Sequence, residues 1–163
     1  MSTVLRAYGD DFDVDAFRAG CTLPVCAVKR RGQPVFPASQ PDGRRHERSG
    51  VHVSVSDAEF DNLQQQVIDA TEFLRVETEQ ILRLREFPGV DRVTLDFGIE
   101  PRDVAVQCDY LSPELVRLAG SLGLGIEISQ YPRSHEEPDA EKPHSLELAL
   151  RLASNGKSLP SAQ

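Results

Sequence analysis

Five arginines are concentrated in residues 30–48, a short stretch of the chain. They are Arg30, Arg31, Arg44, Arg45 and Arg48. A guanidinium group binds carboxylate or phosphate oxygens in a bidentate geometry, so these residues are candidates for holding a small anion or a phosphorylated ligand. The competing interpretation is a solvated loop in which Asp42 and Glu47 neutralise part of the charge, because exposed ion pairs contribute little energy.

Aspartates form a second cluster near the N-terminus, at Asp10, Asp11, Asp13 and Asp15. Carboxylates bind Ca²⁺, but an EF-hand loop spreads its ligands over about twelve residues and has a central glycine and a terminal glutamate. Here Phe12 and Val14 interrupt the acids. Asp13 is better placed to cap a helix over residues 14–19, where a nearby acid also interacts favourably with the helix dipole.

The cysteines and histidines show no spacing typical of a metal site. They are Cys21, Cys26 and Cys108, and His46, His52, His135 and His144. A structural zinc site needs about four ligands, and these are usually in closely spaced pairs. Cys108 alternates with Val104 and Val106, so we expect its thiol to be buried as a small apolar group. No metal and no cofactor are predicted.

The sequence contains no recognisable catalytic motif. A glycine-rich phosphate loop, the G-x-S-x-G turn of serine hydrolases and the H-E-x-x-H zinc motif are all missing from it. A pair formed by Cys26 and either His46 or His52 is compatible with the sequence but is one of many combinations. The pattern therefore favours a non-enzymatic protein.

Length and charge narrow the functional classes further. The chain has 163 residues and 39% apolar side chains, which suits one domain with its own core. Its 26 acidic and 18 basic residues give a net charge of −8, which argues against nucleic acid as a partner. No apolar run approaches the roughly 20 residues that cross a bilayer, and the N-terminus lacks the order of a secretory signal. We expect a cytoplasmic protein with no membrane partner.

The longest predicted element is a helix over residues 57–87, a stretch without Gly or Pro. Ser56 and Glu59 have the spacing of a capping box, and apolar residues recur every three or four positions. Glu77 falls on the apolar stripe, so the pattern predicts either one helix or two helices broken near 76–78. The other face is acidic, and its candidate partner-binding residues are Asp57, Glu59, Asp61, Asp69, Glu72 and Glu79.

Alternating apolar and polar residues predict strands on both sides of this helix. Another helix begins at Ser112-Pro113-Glu114, where a capping hydroxyl precedes a proline and an acid. From residue 50 to residue 131 the elements follow the order β-α-β-β-α-β, the ferredoxin-like split β-α-β arrangement. The predicted strands of this core are 51–55, 93–97, 104–110 and 124–128.

The rest of the chain extends this α+β core. Residues 3–36 predict an N-terminal β-α-β extension, so that residues 1–131 form a single α+β domain. Residues 132–163 are predicted as a polar, proline-containing linker followed by a helical tail. The tail carries an apolar stripe, which suggests that it could form a homodimer contact.

Several short motifs resemble one bacterial family. They are Tyr8-Gly9-Asp10-Asp11-Phe12-Asp13-Val14-Asp15 after a strand, Leu23-Pro24, Lys29-Arg30-Arg31-Gly32, and Leu122-Gly123-Leu124-Gly125-Ile126-Glu127-Ile128 near the end. Over residues 3–131 the chain resembles the family catalogued as domain of unknown function 4279. Val51-His52-Val53 departs from it, because such domains often have a tryptophan there. The resemblance implies an α+β fold and no catalytic residues.

These observations favour a small acidic, non-enzymatic binding protein that acts through a protein–protein surface, in an immunity-type or adaptor role. The acidic face of helix 57–87 would engage a basic partner, with complementary charge accelerating their encounter. The alternative, from another class, is a small-anion or phosphate-ligand-binding domain, or an enzyme, that uses the arginines of residues 30–48.

Overall fold

Five strands and four helices form within residues 1–132, which are the residues that this computed structural model describes. The elements are β1 (Thr3–Gly9), α1 (Val14–Arg18), β2 (Val25–Lys29), β3 (Ser49–Ser56), α2 (Leu63–Val76), α3 (Thr78–Arg85), β4 (Arg92–Ile99), α4 (Pro113–Ser121) and β5 (Gly125–Gln130). The predicted α+β class is confirmed. Within these residues, no helix has both the length and the apolar character that a membrane span requires.

The chain divides into two units, Met1–Arg133 and Ser134–Gln163. The first unit contains every element named above. The linker and helical tail predicted for residues 132–163, and the homodimer contact assigned to that tail, lie outside the described residues apart from Pro132.

A five-stranded mixed sheet in the order β2-β3-β1-β4-β5 forms the framework. Strand β1 is antiparallel to both of its neighbours, whereas β4 and β5 are parallel to each other. Residues of β1 alternate between the two faces: Leu5 and Ala7 are fully buried, whereas Arg6 and Tyr8 are only half-buried. The core lies between one face of the sheet and helices α1–α4. We call the opposite side the helix-free face, because none of the helices within residues 1–132 packs on it.

The predicted order of elements within residues 50–131 is wrong at one position. Residues 104–110 do not form a strand, because β1 and β5 already occupy the two edges of β4. A split β-α-β unit does form, since β3 and β4 are parallel and are joined by α2 and α3. The strand inserted between them is β1, which is therefore central to the sheet and not part of an N-terminal extension.

The predicted start of the long helix is also wrong. Helix α2 begins at Leu63, and the side chain of Asn62 caps it by accepting a hydrogen bond from the Gln65 amide at 3.1 Å. The hydroxyl of Ser56 accepts a hydrogen bond from the Ala58 amide instead, so Ser56 does not cap a helix. Residues 57–62 consequently lie outside the helix.

Glu77 separates two helices, and this confirms the second of the two predicted alternatives. Its backbone (φ −97°, ψ 18°) ends α2 and begins α3. The hydroxyl of Thr78 donates to the Leu74 carbonyl at 2.7 Å, which occupies a backbone acceptor at the break. The apolar stripe continues across the break, because Leu74, Ile81 and Leu84 are all fully buried.

Candidate functional site

The predicted acidic face is divided among three segments of the structure. Asp57, Glu59 and Asp61 precede α2, Asp69 and Glu72 lie on α2, and Glu79 lies on α3. The carboxylate of Asp69 accepts hydrogen bonds from the hydroxyl of Ser56 at 2.5 Å and from the side-chain amide of Gln65 at 2.7 Å. The expectation of one continuous acidic helix over 57–87 is therefore wrong, although the individual acids remain candidates.

Nearby carboxylates and carbonyls engage the predicted arginine cluster. Arg30 donates to the Asp15 carboxylate at 2.9 and 2.6 Å, and this hydrogen bond lowers the pKa of Asp15. Arg48 pairs with Asp10 at 3.0 Å. The N-terminal aspartates thus neutralise part of the cluster, as well as capping α1 through Asp13. The remaining contacts are Arg44 with Glu47 at 3.5 Å, Arg45 with the Gly32 carbonyl at 2.7 Å, and Arg31 with the Asp10 carbonyl at 3.3 Å.

A hydrogen-bonded chain crosses three strands on the helix-free face. Lys29 Nζ donates to the Tyr8 hydroxyl at 3.0 Å, and a hydrogen bond of 2.5 Å joins that hydroxyl to His52 Nε2. The Tyr8 ring lies against Gly50, where an added Cβ would come within 2.4 Å of the ring. Burial, together with the charges of Lys29 and Arg6, lowers the pKa of His52 to about 4. His52 is therefore neutral at pH 7.

A buried ion pair continues the polar network on the same face. The side chain of Asp96 is 2% exposed and pairs with the guanidinium of Arg6. The hydroxyl of Ser129 also donates to Asp96, at 2.7 Å, and Glu127 lies 4.0 Å from Arg6. A buried carboxylate is tolerated only when such partners replace its hydration. The sequence patterns did not predict this network, although Arg6 and Tyr8 alternate with apolar residues in β1.

A groove of about 750 Å³ opens between α2 and residues 99–114, and we call it the α2 groove. Its buried and half-buried apolar lining forms the floor, which consists of Phe60, Leu63, Val67 and Ile99. Ile68 and Tyr110 also line it and are 54% and 73% exposed. Apolar floors of this kind are typical of binding sites, because burying them removes apolar surface from water.

Charged side chains surround this apolar floor. The acids that line the groove are Asp61, Glu72, Glu100, Asp109 and Glu114, and the bases are Arg75 and Arg102. Arg75 pairs with Glu114 and with Glu72, and Arg102 pairs with Asp109 at 2.8 Å. The charged lining carries a net charge of −3. Two of the six predicted partner-binding acids, Asp61 and Glu72, lie here.

Residues 101–112 form the wall of the groove that faces α2. Arg102 organises this wall, because its amide donates to the Gln107 side chain at 2.9 Å and its guanidinium donates to the Cys108 carbonyl at 2.9 Å. The predicted burial of Cys108 is wrong, since its thiol is exposed. Val104 and Val106 are 56% and 75% exposed. The apolar side chains whose alternation predicted a strand here therefore face solvent.

Comparisons with known proteins do not indicate a function for this chain. No family model, no curated protein and no solved structure matches the chain. Within residues 1–132, no group of three or more His, Cys, Asp or Glu side chains is arranged to hold a metal ion. The α2 groove and the helix-free face are consequently the two candidate functional sites.

Proposed function

We propose that this protein is a non-enzymatic protein-binding domain that docks a partner segment in the α2 groove. The observation that carries the proposal is the apolar floor, which the domain's own side chains leave open while Ile68 and Tyr110 extend it to the surface. Contiguous exposed apolar surface with a polar rim is characteristic of protein interaction sites. An adaptor or immunity-type role in the cytoplasm fits such a domain, and membership of family 4279 is part of the same proposal.

The charge of the groove indicates a basic partner segment. Two arginines and five acids leave the lining with a net charge of −3, so lysine or arginine side chains of a partner would complement it. The partner expected from the sequence was also basic, but the expected docking surface was a continuous helix face. The groove provides a more compact surface, because the acids surround apolar side chains that can anchor the partner.

The arginine-based alternative receives less support from the contacts. Each of the five arginines in residues 30–48 already contacts a carboxylate or a backbone carbonyl of the same region. A small anion would have to displace carboxylates such as Asp15 and Asp10, whose negative charges oppose its approach. We therefore place the binding function in the groove and not in this cluster.

Two synthetic peptides of identical composition test the proposal. Both contain Val and Lys; one alternates them, and the other spaces Val at helical intervals. Fluorescence anisotropy should show saturable binding of at least one peptide, with binding that weakens as salt rises. The Ile68→Ser variant removes apolar surface without adding charge, so it should weaken binding by about tenfold or more, which corresponds to about 1.4 kcal/mol.

The control variant is Val116→Ser, which makes the matching apolar-to-polar change on α4 outside the groove, at a residue that is 48% exposed. It should bind the peptides as the wild-type protein does. A matching pair of peptides with Glu in place of Lys should bind more weakly. Equal binding by the wild-type and Ile68→Ser proteins, or no saturable binding of either Lys peptide, would contradict the proposal.

A further inference from the structure

One wall of the α2 groove contains a stretch of backbone that is not paired with any strand of residues 1–132. Residues 106–110 run without a turn or bend, and none of their amides or carbonyls makes a backbone–backbone hydrogen bond within residues 1–132. Four of these residues, Gln107 to Tyr110, line the groove. The Cys108 carbonyl accepts a hydrogen bond from the Arg102 guanidinium at 2.9 Å. The backbone groups of this stretch that have no such partner are a template to which an additional strand binds.

The composition of the same stretch favours strand pairing. Val106, Cys108 and Tyr110 alternate with Gln107 and Asp109, and β-branched and aromatic residues are enriched in strands. This pattern predicts a strand, yet the sheet has no free edge beside β4 to accept it. The segment thus has the side-chain pattern of a strand but no neighbouring strand within residues 1–132.

We infer that the α2 groove takes its partner as an extended strand that pairs with the backbone of residues 106–110; this inference rests on the proposed function. Five residues of strand span about 16 Å, so the pairing would involve a short peptide segment. Alternate side chains of such a strand point to opposite faces. One set would contact the apolar floor at Val67 and Ile99, and the other would reach the acids of the rim.

The wall is already organised for this pairing. The side chain of Gln107 accepts a hydrogen bond from the Arg102 amide and donates to Asp109 at 3.0 and 3.2 Å. Arg102 in turn pairs with Asp109, whose side chain is only 17% exposed. These contacts fix the segment before a partner arrives, which reduces the entropy lost on binding. The partner is therefore a basic segment with apolar residues at every second position.

Backbone N-methylation of the alternating Val/Lys peptide tests the strand geometry. In a strand, neighbouring amides point to opposite edges, so methylating every second residue removes the donors of one edge only. Two peptides are compared, methylated at the odd or at the even positions. One should lose about tenfold or more in affinity for the protein, whereas the other should bind as the unmodified peptide does.

The outcomes separate this inference from the proposed function. Binding of the helically patterned peptide in preference to the alternating one would overturn strand pairing but support groove binding. Equal losses for the two methylated peptides would also overturn it, because docking through side chains alone has no preferred edge. Failure of both unmodified peptides to bind would overturn the proposed function together with the inference. Protection of the amides of residues 106–110 from hydrogen exchange on binding would support strand pairing.

Discussion

The helix-free face and the α2 groove differ in what their side chains contact. On the helix-free face, Lys29, Tyr8 and His52 form hydrogen bonds with one another, and Asp96 is buried beneath Arg6. In the groove, apolar side chains remain exposed and a stretch of backbone lacks strand partners among the described residues. The first region pairs most of these polar groups internally, although Arg6 Nε is buried without a hydrogen-bond partner among the described residues. The second region leaves apolar surface available.

This contrast separates stability from binding. Titratable residues with perturbed pKa values often mark active sites, and His52 meets that description. Its hydrogen bond with Tyr8, however, belongs to a network that holds neighbouring strands together. We therefore expect substitutions on the helix-free face to change the free energy of unfolding, whereas substitutions in the groove change peptide affinity.

The largest effect on stability is expected from Asp96→Ala. It leaves the guanidinium of Arg6 without its buried partner, and breaking such a pair costs about 3–5 kcal/mol. Urea denaturation measures this loss. The double variant Arg6→Met/Asp96→Leu should recover most of the stability, because it removes both charges. A cost of less than about 1 kcal/mol for Asp96→Ala would show that the network does not stabilise the sheet.

A smaller effect is expected when one tyrosine hydroxyl is removed from each region. Tyr8→Phe removes the hydroxyl that hydrogen-bonds with His52 Nε2 and Lys29, and it should lower the free energy of unfolding by about 1–2 kcal/mol. Tyr110→Phe removes a hydroxyl from a side chain that is 73% exposed, so it should change stability by less than about 0.5 kcal/mol. Equal effects in chemical denaturation would remove the distinction between the two regions.

A pH dependence of the free energy of unfolding should also originate at His52. Its pKa is about 4 in the folded protein, below the value of 6.5 for an unperturbed histidine. The unfolded chain therefore binds more protons between these values, so this contribution to stability is complete above pH 6.5 and decreases as the pH falls towards 4. In thermal melts, His52→Gln should reduce the loss of Tm between pH 7 and pH 5, whereas the control His46→Gln should not.

Local patterns predicted most elements of this fold because each element depends on neighbouring residues. Asp13 caps α1, and Ser112 caps α4, where the predicted sequence of hydroxyl, proline and acid stands. The predicted start of α2 is wrong because Ser56 and Asn62 are both residue types that cap helices, and the structure uses Asn62. Ser56 is instead held by Asp69, a residue one turn beyond Gln65, and only the folded structure shows that contact.

Long-range pairing limited what the sequence could predict. Alternation at Val104 and Val106 is a valid strand pattern, but whether a strand forms depends on a free edge elsewhere in the sheet. The position of β1 between β3 and β4 removed that edge. Both candidate sites also depend on long-range pairing. Tyr8 meets His52 only because distant strands pair, and the groove forms beside residues 106–110, which pair with no strand within residues 1–132.

The central position of β1 has a consequence for biosynthesis. Thr3–Gly9 leaves the ribosome before both of its neighbours, Ser49–Ser56 and Arg92–Ile99. One edge of β1 has no partner until residue 56 has been translated and the other has none until residue 99, and contacts this distant in sequence slow folding. Translation speed and chaperones acting on nascent β1 should therefore influence the yield of native protein more than they would if this strand lay at an edge of the sheet.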